Sequence, residues 1–266
     1  MAESTPPNHG TRRHTVFSLD GTLALVTGSS RGLGYSMTKG LADAGAAVIL
    51  NGRNEERLAD ARASLENGSR RLHTSAFDTT DSAAVEAAID DIESRIGPID
   101  ILFNNAGIIK RAAIVDMPEA DWRAVLDANL TGPFIVGRAV ARHMIERRRG
   151  KIINTCSLTS EAARNTVSPY AASKAGLKML TQSMATEWAR YNIQVNAIGP
   201  GFFATKLTVP LQEDPDFDGW VKARTPAGRW GDPDELIGPA VFLASEQSSF
   251  VNGHVLYVDG GFLATM

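Results

Sequence analysis

Three side chains suited to moving a proton stand close together in the second half of the chain. They are Tyr170, Lys174 and Ser157, which lies thirteen residues before Tyr170. If the segment from Pro169 onward is helical, residues four apart share a face, so the phenol and the ammonium point into the same space. A nearby cation lowers the pKa of a tyrosine from about 10 toward neutrality. With a hydroxyl donor from Ser157, the set predicts acid–base chemistry on an alcohol, although a Tyr and a Lys at this spacing are common on helices.

A glycine-rich turn near the N-terminus supplies the context for a hydride acceptor. An apolar run at residues 22–27 is followed by Gly28-Ser-Ser-Arg-Gly32-Leu-Gly34 and then by a helical pattern through Ala44. Strand, glycine turn and helix form a dinucleotide-binding context, in which the helix start receives the phosphates. Gly28 permits the tight turn, Gly32 the approach of a pyrophosphate and Gly34 close helix packing. The alternative is an ordinary strand-to-helix turn. The other predicted contacts in this turn are Ser30, Arg31 and Leu33.

The end of the second predicted strand bears on the choice of cofactor. It reads Asn51-Gly52-Arg53, without the carboxylate that would bind an adenosine ribose, and Arg31 lies in the glycine turn. Guanidinium groups suit a 2′-phosphate, so we expect NADP(H) in preference to NAD(H). The alternative is that either arginine is a solvated surface charge.

Taken together, these motifs resemble the short-chain dehydrogenase/reductase family in order and spacing, from about Phe17 to Leu263. The resemblance is carried by the glycine turn and by Asn104-Asn-Ala-Gly107, Asn129, Ser157, Tyr170, Lys174 and Pro200-Gly201 with Thr205. Within that family, residues 107–111, 156–161 and 224–233 look like those of the gluconate 5-dehydrogenases (5-keto-D-gluconate 5-reductases). NAD-using relatives carry an acid where this chain has Gly52, so their cofactor preference is not transferred.

The resemblance implies a role for each matching residue. Tyr170 would be the general acid or base, Lys174 would lower its pKa and bind the nicotinamide ribose, and Ser157 would hold the reacting oxygen. Asn129 would kink a helix and position a relay water near Lys174. Further cofactor contacts are implied at Arg53, at Asp78 and Thr79 beside the adenine, at Asn104, Asn105, Ala106 and Gly107 along the other edge, and at Pro200, Gly201 and Thr205 near the carboxamide.

A sugar-acid substrate needs a cation for its carboxylate and donors for its hydroxyls. Arg111 is the preferred carboxylate partner, with a surface ion pair as the alternative. Glu161 is predicted to accept sugar hydroxyls or to help hold a divalent cation, against a plain capping role, and no metal site is assigned. Lys110 and Arg164 are weaker candidates, and Trp220 is either a lid or a core residue.

Two other functions remain open. One is a reductase of another keto acid, such as a 3-oxoacyl-carrier-protein or a 2-keto-3-deoxy sugar acid. A carrier protein would require a basic docking patch, and residues 147–149 (Arg-Arg-Arg) supply one only at the far end of strand five, where we expect a solvated helix end. The other is a nucleotide-sensing protein without chemistry, which is disfavoured because all four catalytic positions hold competent residues.

Composition limits the class of protein. The 266 residues are 43% apolar with a net charge of −3, which suits a single α/β domain and gives no basic field for nucleic acid or a membrane surface. No apolar run approaches the roughly 18 residues of a membrane span. Cys156 is the only cysteine, predicted to be a small buried residue at a strand end, and a reducing cytoplasm is the expected location.

Alternating strand and helix patterns predict the fold. Strand-like runs near 22–27, 46–51, 70–76, 99–103, 151–155, 194–198 and 255–258 indicate one doubly wound, Rossmann-like α/β domain with a seven-stranded, mainly parallel sheet. Asn104, Ser157 and Pro200 then fall on one rim. The predicted domain spans residues 17–266, with a substrate loop at about 200–225, after a flexible extension at residues 1–16. Long helices near 118–147 and 168–190 have counterparts that pair between subunits in the family, which implies a homotetramer.

Overall fold

The computed structural model describes residues 16–206 and 208–265, and in this part of the chain seven strands form one sheet. The strands are β1 (Leu23–Val26), β2 (Ala47–Gly52), β3 (Arg71–Ala76), β4 (Ile101–Asn104), β5 (Gly150–Thr155), β6 (Ile193–Pro200) and β7 (Val255–Val258). Their order is β3-β2-β1-β4-β5-β6-β7, and every neighbouring pair is parallel. The predicted seven-stranded sheet is therefore confirmed. The predicted extension at residues 1–16 lies outside the described residues except for Val16.

Helices connect the strands. Within the described residues they are α1 (Gly32–Asp43), α2 (Glu55–Leu65), α3 (Ser82–Arg95), α4 (Glu119–Leu126), α5 (Gly132–Arg147), α6 (Ser168–Trp188), α7 (Val209–Gln212), α8 (Pro215–Arg224) and α9 (Ile237–Ala244). In this part of the chain, none of them combines the length and the apolar character that crossing a membrane requires.

The sheet separates two apolar cores because alternate residues of each strand face opposite sides. In β1, Leu23 and Leu25 pack with α3, α5 and α6, whereas Ala24 and Val26 pack with α1, α2 and α9. All four side chains are buried, as expected for a parallel strand that is covered on both faces. Helices on both sides of a parallel sheet make this the doubly wound α/β fold that the sequence predicts.

The strand order reverses beside β1. The chain proceeds from β1 to β2 and β3 in one direction, and from β4 to β7 in the other. The carboxyl ends of β1 and β4 therefore border a crevice of the kind in which doubly wound sheets bind ligands. Gly28 comes soon after β1, Asn105 directly follows β4, and Ser157 lies two residues beyond β5. The predicted site residues thus share one edge of the sheet.

The predicted helix near residues 118–147 changes its hydrogen bonding halfway along. Between α4 and α5, Asp127–Thr131 forms a π-helical turn, and the N–H of Gly132 donates to the carbonyl of Asp127. Such turns widen a helix locally and are frequent at functional sites. This one contains Asn129, whose side chain is completely buried.

The arginines at residues 147–149 agree only in part with the expected solvated helix end, because Arg148 and Arg149 are exposed whereas Arg147 is partly buried and paired. Arg147 donates to both carboxylate oxygens of Glu93, at 2.9 and 3.0 Å. Arg149 pairs with Asp100, which directly precedes β4. These groups join α5 to the amino end of the sheet, the end opposite to the predicted site, so they take part in packing.

Candidate active site

Glycine is required at two positions where the turn after β1 meets the loop after β4. Gly28 has a φ of +62°, and a Cβ there would lie 2.8 Å from Cα of Ala106. A Cβ on Gly34 would lie 2.4 Å from Nδ2 of Asn105. That nitrogen donates to the carbonyl oxygens of Thr27 and Gly28, each at 3.0 Å. Because these glycines have no side chain, the two loops that border the crevice are in direct contact.

The first turn of α1 is open and has unsatisfied donors. Gly32 has a φ of +61°, and a Cβ there would meet no atom within 4 Å. Arg31 precedes the helix without a capping side-chain bond, and the first turn carries no acidic residue. Among the described residues its N–H groups thus lack a side-chain acceptor, and such a helix start binds phosphate oxygens. The turn fits the pyrophosphate of a dinucleotide, and contacts from Ser30, Arg31 and Leu33 stay predictions.

Two predicted cofactor contacts meet at the ends of β2 and β3. A guanidinium nitrogen of Arg53 lies 3.6 Å from a carboxylate oxygen of Asp78. Burial acts to raise the pKa of Asp78, but hydrogen bonds from Thr80 and the charge of Arg53 outweigh it, so the pKa lies below its ordinary value. Thr79 beside it is buried. The carboxylate is therefore ionised and held in place, while contacts from these residues to an adenosine remain predictions.

Asn104 points into the core, so the prediction that it lines the cofactor is wrong. Only 2% of it is exposed, and its Nδ2 donates to Oδ1 of Asn154 at 3.0 Å and to the carbonyl of Pro133 at 3.3 Å. The reason is that Asn104 is the last residue of β4, and both faces of that strand are covered by protein. Residues beyond the strand, beginning with Asn105, reach the rim.

Asn129 fastens the loop after β4 to α6. Its Oδ1 accepts from the N–H of Ile108 at 2.8 Å, and its Nδ2 donates to the carbonyl of Ile108 at 2.9 Å and to Oγ of Ser173 at 3.1 Å. A Cβ on Gly107 would lie 3.0 Å from Oδ1 of Asn129 and 3.8 Å from Nζ of Lys174. The amide thus sets the distance between this loop and Lys174. Its predicted part in a proton relay stays a prediction.

The three side chains predicted to carry out acid–base chemistry, Ser157, Tyr170 and Lys174, converge where β5 ends and α6 begins. Nζ of Lys174 lies 5.7 Å from the centre of the Tyr170 ring and donates to the carbonyl of Thr155 at 2.6 Å. Ser157 is buried, and its Oγ accepts from the N–H of Thr159 at 3.2 Å. With that lone pair taken, the Ser157 hydroxyl proton can be donated to a substrate oxygen.

The pKa values of this group correct one expectation. Burial raises the pKa of Tyr170 above its ordinary value, against the lowering effects of a hydrogen bond with Ser157 and of the positive charge of Arg111. Burial also lowers the pKa of Lys174 to about 8. The predicted lowering of the Tyr170 pKa by Lys174 is therefore not found, because the ammonium is directed at the Thr155 carbonyl and loss of solvent dominates. At neutral pH Tyr170 carries its proton and can donate it.

Arg111 interacts electrostatically with Tyr170, whereas its neighbour Lys110 is paired with Asp121. Burial lowers the pKa of Arg111, and its interaction with Tyr170 acts in the opposite direction, which places the guanidinium near the phenol. Among the described residues no carboxylate oxygen lies within 4.0 Å of Arg111. Lys110 lies 3.3 Å from Asp121 on α4, so its predicted place in the pocket is corrected. The arrangement leaves Arg111 as the cation for an incoming anion.

The carboxylate of Glu161 already accepts two hydrogen bonds from other side chains. Its Oε1 accepts from Nζ of Lys178 at 2.5 Å and from the hydroxyl of Tyr257 at 2.6 Å. These two bonds lower the pKa of Glu161, so it is a carboxylate. The contacts tie α6 to β7 and favour a structural role over the predicted contact with sugar hydroxyls.

The segment after β6 packs against the residue that follows β7. Pro200 is the last residue of β6, and a Cβ on Gly201 would lie 2.7 Å from Cα of Asp259. The N–H of Thr205 donates to Oγ of Thr208 at 2.9 Å. Contacts from Pro200, Gly201 and Thr205 to a nicotinamide carboxamide remain predictions, as does the extent of the substrate loop.

Five aromatic rings in this segment and near the C-terminus pack together. We call them the aromatic cluster: Phe202, Phe217, Trp220, Trp230 and Phe262. Phe202 contacts each of the other four, with ring centres 5.5 to 5.8 Å apart. Trp220 keeps 43% of its surface exposed, so it is a member of the cluster at the surface.

Sequence reasoning missed two groups that position the site. Oγ of Ser160 donates to the carbonyl of Lys174 at 2.9 Å and accepts from the N–H of Ser157 at 3.3 Å, which links the two reactive residues. A serine three residues after Ser157 has the spacing of a capping box, and that signal could have identified it. Thr155 acts through its backbone carbonyl, for which the sequence carries no signal.

Cys156 is a core residue, as predicted. It is 1% exposed directly after β5. Burial raises the pKa of its thiol above the ordinary value, so it is not a thiolate at neutral pH. Its place next to Ser157 therefore adds packing and no redox chemistry.

Comparison with known proteins agrees with this geometry. The short chain dehydrogenase family model matches residues 22–216. The chain is 52% identical over 253 residues to the 2-dehydro-3-deoxy-D-gluconate 5-dehydrogenase of Formosa agariphila. The aligned region covers 94% of this chain and 96% of that protein. It is 51% identical over 251 residues to the gluconate 5-dehydrogenase of Gluconobacter oxydans, with 94% and 98% covered.

One solved structure extends the comparison to three dimensions. The crystal structure of a gluconate 5-dehydrogenase from Burkholderia cenocepacia J2315 in complex with NADP and tartrate matches with a TM-score of 0.92 and 50% identity. The match covers 94% of this chain and 98% of that one.

Proposed function

The chain belongs to the short-chain dehydrogenase family, and within it we propose an NADP(H)-dependent enzyme that interconverts D-gluconate and 5-keto-D-gluconate. The observation that carries this proposal is Arg111, whose guanidinium lies near Tyr170 with no carboxylate within 4.0 Å among the described residues. A sugar acid presents one carboxylate to such a cation and a series of secondary alcohols to the phenol. Neutral sugars and apolar ketones would leave the guanidinium without a partner.

The relatives support this substrate class. The Gluconobacter oxydans protein, 51% identical, is a gluconate 5-dehydrogenase. The Burkholderia cenocepacia relative binds NADP and tartrate. Tartrate is a hydroxy acid and combines the two groups that Arg111 and Tyr170 would recognise, a carboxylate and a secondary alcohol.

The geometry suggests how protons are handled. When bound, the nicotinamide cofactor supplies or accepts the hydride. In the reducing direction the Tyr170 hydroxyl donates its proton to the carbonyl oxygen, while Ser157 donates a hydrogen bond to the same oxygen. In the oxidising direction Tyr170 receives the alcohol proton. Lys174, with its pKa of about 8, carries an ammonium at neutral pH and stabilises a developing phenolate.

NADP(H) is the preferred cofactor because of the charges at the end of β2. Arg53 follows Gly52 there, and Arg31 stands at the start of α1. Neither position offers a carboxylate that would repel a 2′-phosphate. The open first turn of α1 would hold the pyrophosphate through its N–H groups.

A second substrate is favoured by one specific observation. The Formosa agariphila relative, 52% identical, is a 2-dehydro-3-deoxy-D-gluconate 5-dehydrogenase. Its substrate has the same six-carbon length and the same carboxylate, and it differs at carbons 2 and 3. Arg111 would bind either acid, so the choice between them rests on groups that contact the middle of the chain.

Steady-state kinetics test the proposal. NADPH and NADH oxidation would be measured with 5-keto-D-gluconate and with a 3-oxoacyl thioester, and NADP⁺ reduction with D-gluconate and 2-dehydro-3-deoxy-D-gluconate. We expect the sugar acids to have the highest kcat/KM and NADPH to exceed NADH. Preference for the thioester would refute the proposed function.

Kinetics of a variant test whether Arg111 binds the substrate carboxylate. Arg111→Ala should raise the KM for the sugar acid about tenfold or more, the range of a lost charge-assisted hydrogen bond, with an unchanged KM for NADPH. Arg95→Ala, at an exposed arginine of α3, is the matched control. An unchanged KM for the acid in Arg111→Ala would remove this residue from the substrate site.

The proposal includes a homotetramer in the cytoplasm. Large apolar side chains on α4, α5 and α6 are exposed, among them Trp122 (36%), Phe134 (42%) and Met179 (61%). Apolar groups on neighbouring helices suit burial between subunits. A single buried cysteine is compatible with a reducing compartment. Light scattering of the purified protein would give the assembly state, and a monomer would contradict this part.

A further inference from the structure

Two loops of the site are joined by a backbone hydrogen bond. The N–H of Ala112, the residue after Arg111, donates to the carbonyl of Thr166 at 3.0 Å. Thr166 has a φ of +67°, in the left-handed region that a β-branched residue rarely adopts, so the chain here is held in an unfavourable conformation. Arg164 lies two residues before Thr166. The bond therefore brings the loop of Arg164 beside the loop of Arg111.

The Arg164 side chain is fixed by stacking. Its guanidinium carbon lies 4.7 Å from the centre of the Phe217 ring and 5.8 Å from that of Phe202. Both rings belong to the aromatic cluster, which is built on the segment after β6 and on α8. A cation over an aromatic face is held electrostatically while its N–H edge stays available for other bonds. The cluster thus orients Arg164 without using its hydrogen-bond donors.

The charge of Arg164 is unbalanced. In the described part of the chain no carboxylate oxygen lies within 4.0 Å of its guanidinium, as is also true of Arg111. Burial lowers the pKa of Arg164, and the charge of Arg111 lowers it further, so the two cations repel each other. Partly desolvated like charges of this kind are stabilised by an anion that both can bind.

We propose that Arg164 is a second cation of the substrate pocket, which binds the substrate carboxylate together with Arg111 and thereby selects acids over neutral sugars. The inference rests on the proposed function, since it assigns a residue to the same site. It also gives the aromatic cluster a function, because the rings that hold Arg164 lie on the segment after β6 and on α8. Binding of an acid would then favour the position of that segment seen here.

Kinetics on three variants test the assignment. Arg164→Gln removes the charge, and Phe217→Leu removes the stacking ring but keeps the charge. Arg190→Gln is the matched control, because Arg190 stacks on Tyr191 at 4.8 Å beyond the far end of α6. The substrates are 5-keto-D-gluconate and L-sorbose, a neutral ketose of the same length. KM for NADPH and the melting temperature report whether each variant is folded.

In Arg164→Gln we expect the KM for 5-keto-D-gluconate to rise about tenfold or more and the KM for L-sorbose to stay unchanged. In Phe217→Leu a smaller rise is expected, because the cation remains but is less well oriented. In Arg190→Gln neither value should change. A folded Arg164→Gln enzyme with an unchanged KM for the acid, or with equal increases for both substrates, would overturn the inference.

Calorimetry separates this inference from the proposed function. D-gluconate is titrated into the wild-type protein and into Arg164→Gln, each with NADPH bound, so that binding is read without turnover. Failure of the wild-type protein to reduce 5-keto-D-gluconate would refute the function alone. Equal affinities for D-gluconate in the two proteins would refute the role of Arg164, whatever the activity.

Discussion

Lys174 donates a hydrogen bond of 2.6 Å to the carbonyl oxygen of Thr155, the last residue of β5. The bond ties the first turns of α6 to the carboxyl end of β5. It also holds an ammonium group that is only 3% exposed. A buried cation with few partners destabilises a folded protein, and here it stands where the chemistry requires it.

The stability of the protein should report this buried charge. Lys174 has a pKa of about 8 when folded, against about 10.4 in an unfolded chain. Between these values the unfolded chain binds the extra proton, so the contribution of Lys174 to stability rises with pH. Lys174→Met lacks this contribution. Its melting temperature minus that of the wild type should therefore fall as the pH rises from about 8 toward 10.

Thermal unfolding followed by circular dichroism at several pH values measures this difference. Lys222→Met, at an exposed lysine of α8, is the control for the loss of a lysine as such. Lys174→Met should also be nearly inactive. If this difference stays constant or increases with pH, the pKa of Lys174 is not lowered in the folded protein, and the prediction is contradicted.

Tyr170 should be required for turnover but not for cofactor binding. Tyr170→Phe removes only the hydroxyl, and loss of a general acid lowers the rate by about a hundredfold or more. We expect kcat to fall by that amount with an unchanged KM for NADPH. Tyr191→Phe, at the far end of α6, serves as the control. A Tyr170→Phe enzyme with normal kcat would contradict the proposed acid.

The sequence was sufficient for the features that depend on strand order. Alternating patterns located the strands, and parallel strands place the residues beyond their carboxyl ends on a single edge. Ser157 and Pro200 could therefore be assigned to the same edge without coordinates, and Asn104 was placed there with them. Glycine positions were also predictable, because Gly28 and Gly34 stand where a side chain would collide with the neighbouring loop.

The sequence could not predict the direction in which individual side chains point or how far each is buried. Asn104 and Asn105 are adjacent, but Asn104 is buried in the core whereas Asn105 donates a hydrogen bond to the glycine turn. The difference arises because β4 ends at Asn104. The spacing of Tyr170 and Lys174 was correct. Their pKa values were not, because burial affects both groups and spacing says nothing about burial.

Glu161 provides a test between a predicted and an observed role. Glu161→Gln keeps the shape of the side chain but weakens the bonds from Lys178 and Tyr257. If the role is structural, the KM for the sugar acid should stay unchanged while the melting temperature at neutral pH falls. The loss should vanish as the pH drops below the lowered pKa of Glu161, since the carboxylate stabilises only when ionised. A large rise in KM would restore Glu161 to the substrate site.

The cofactor preference should be reversible at a single glycine. A Cβ on Gly52 would lie 3.5 Å from Cδ2 of Leu58 and 3.9 Å from Oγ of Ser30, ordinary contacts that leave room for a side chain beside the glycine turn. In Gly52→Asp, a carboxylate next to Arg53 would bind ribose hydroxyls and repel a 2′-phosphate. We expect the ratio of kcat/KM for NADPH to that for NADH to fall about tenfold or more.

Gly52→Asn is the matched control, because asparagine has nearly the same size and no charge. If charge decides the preference, the asparagine variant should keep most of the preference for NADPH, and only the aspartate variant should lose it. Equal losses in both would mean that the side chain blocks the site by its volume, and the charges of Arg31 and Arg53 would then not explain the choice of cofactor. Measuring both ratios at low and at high salt concentration separates these causes, since salt screens charge but not volume.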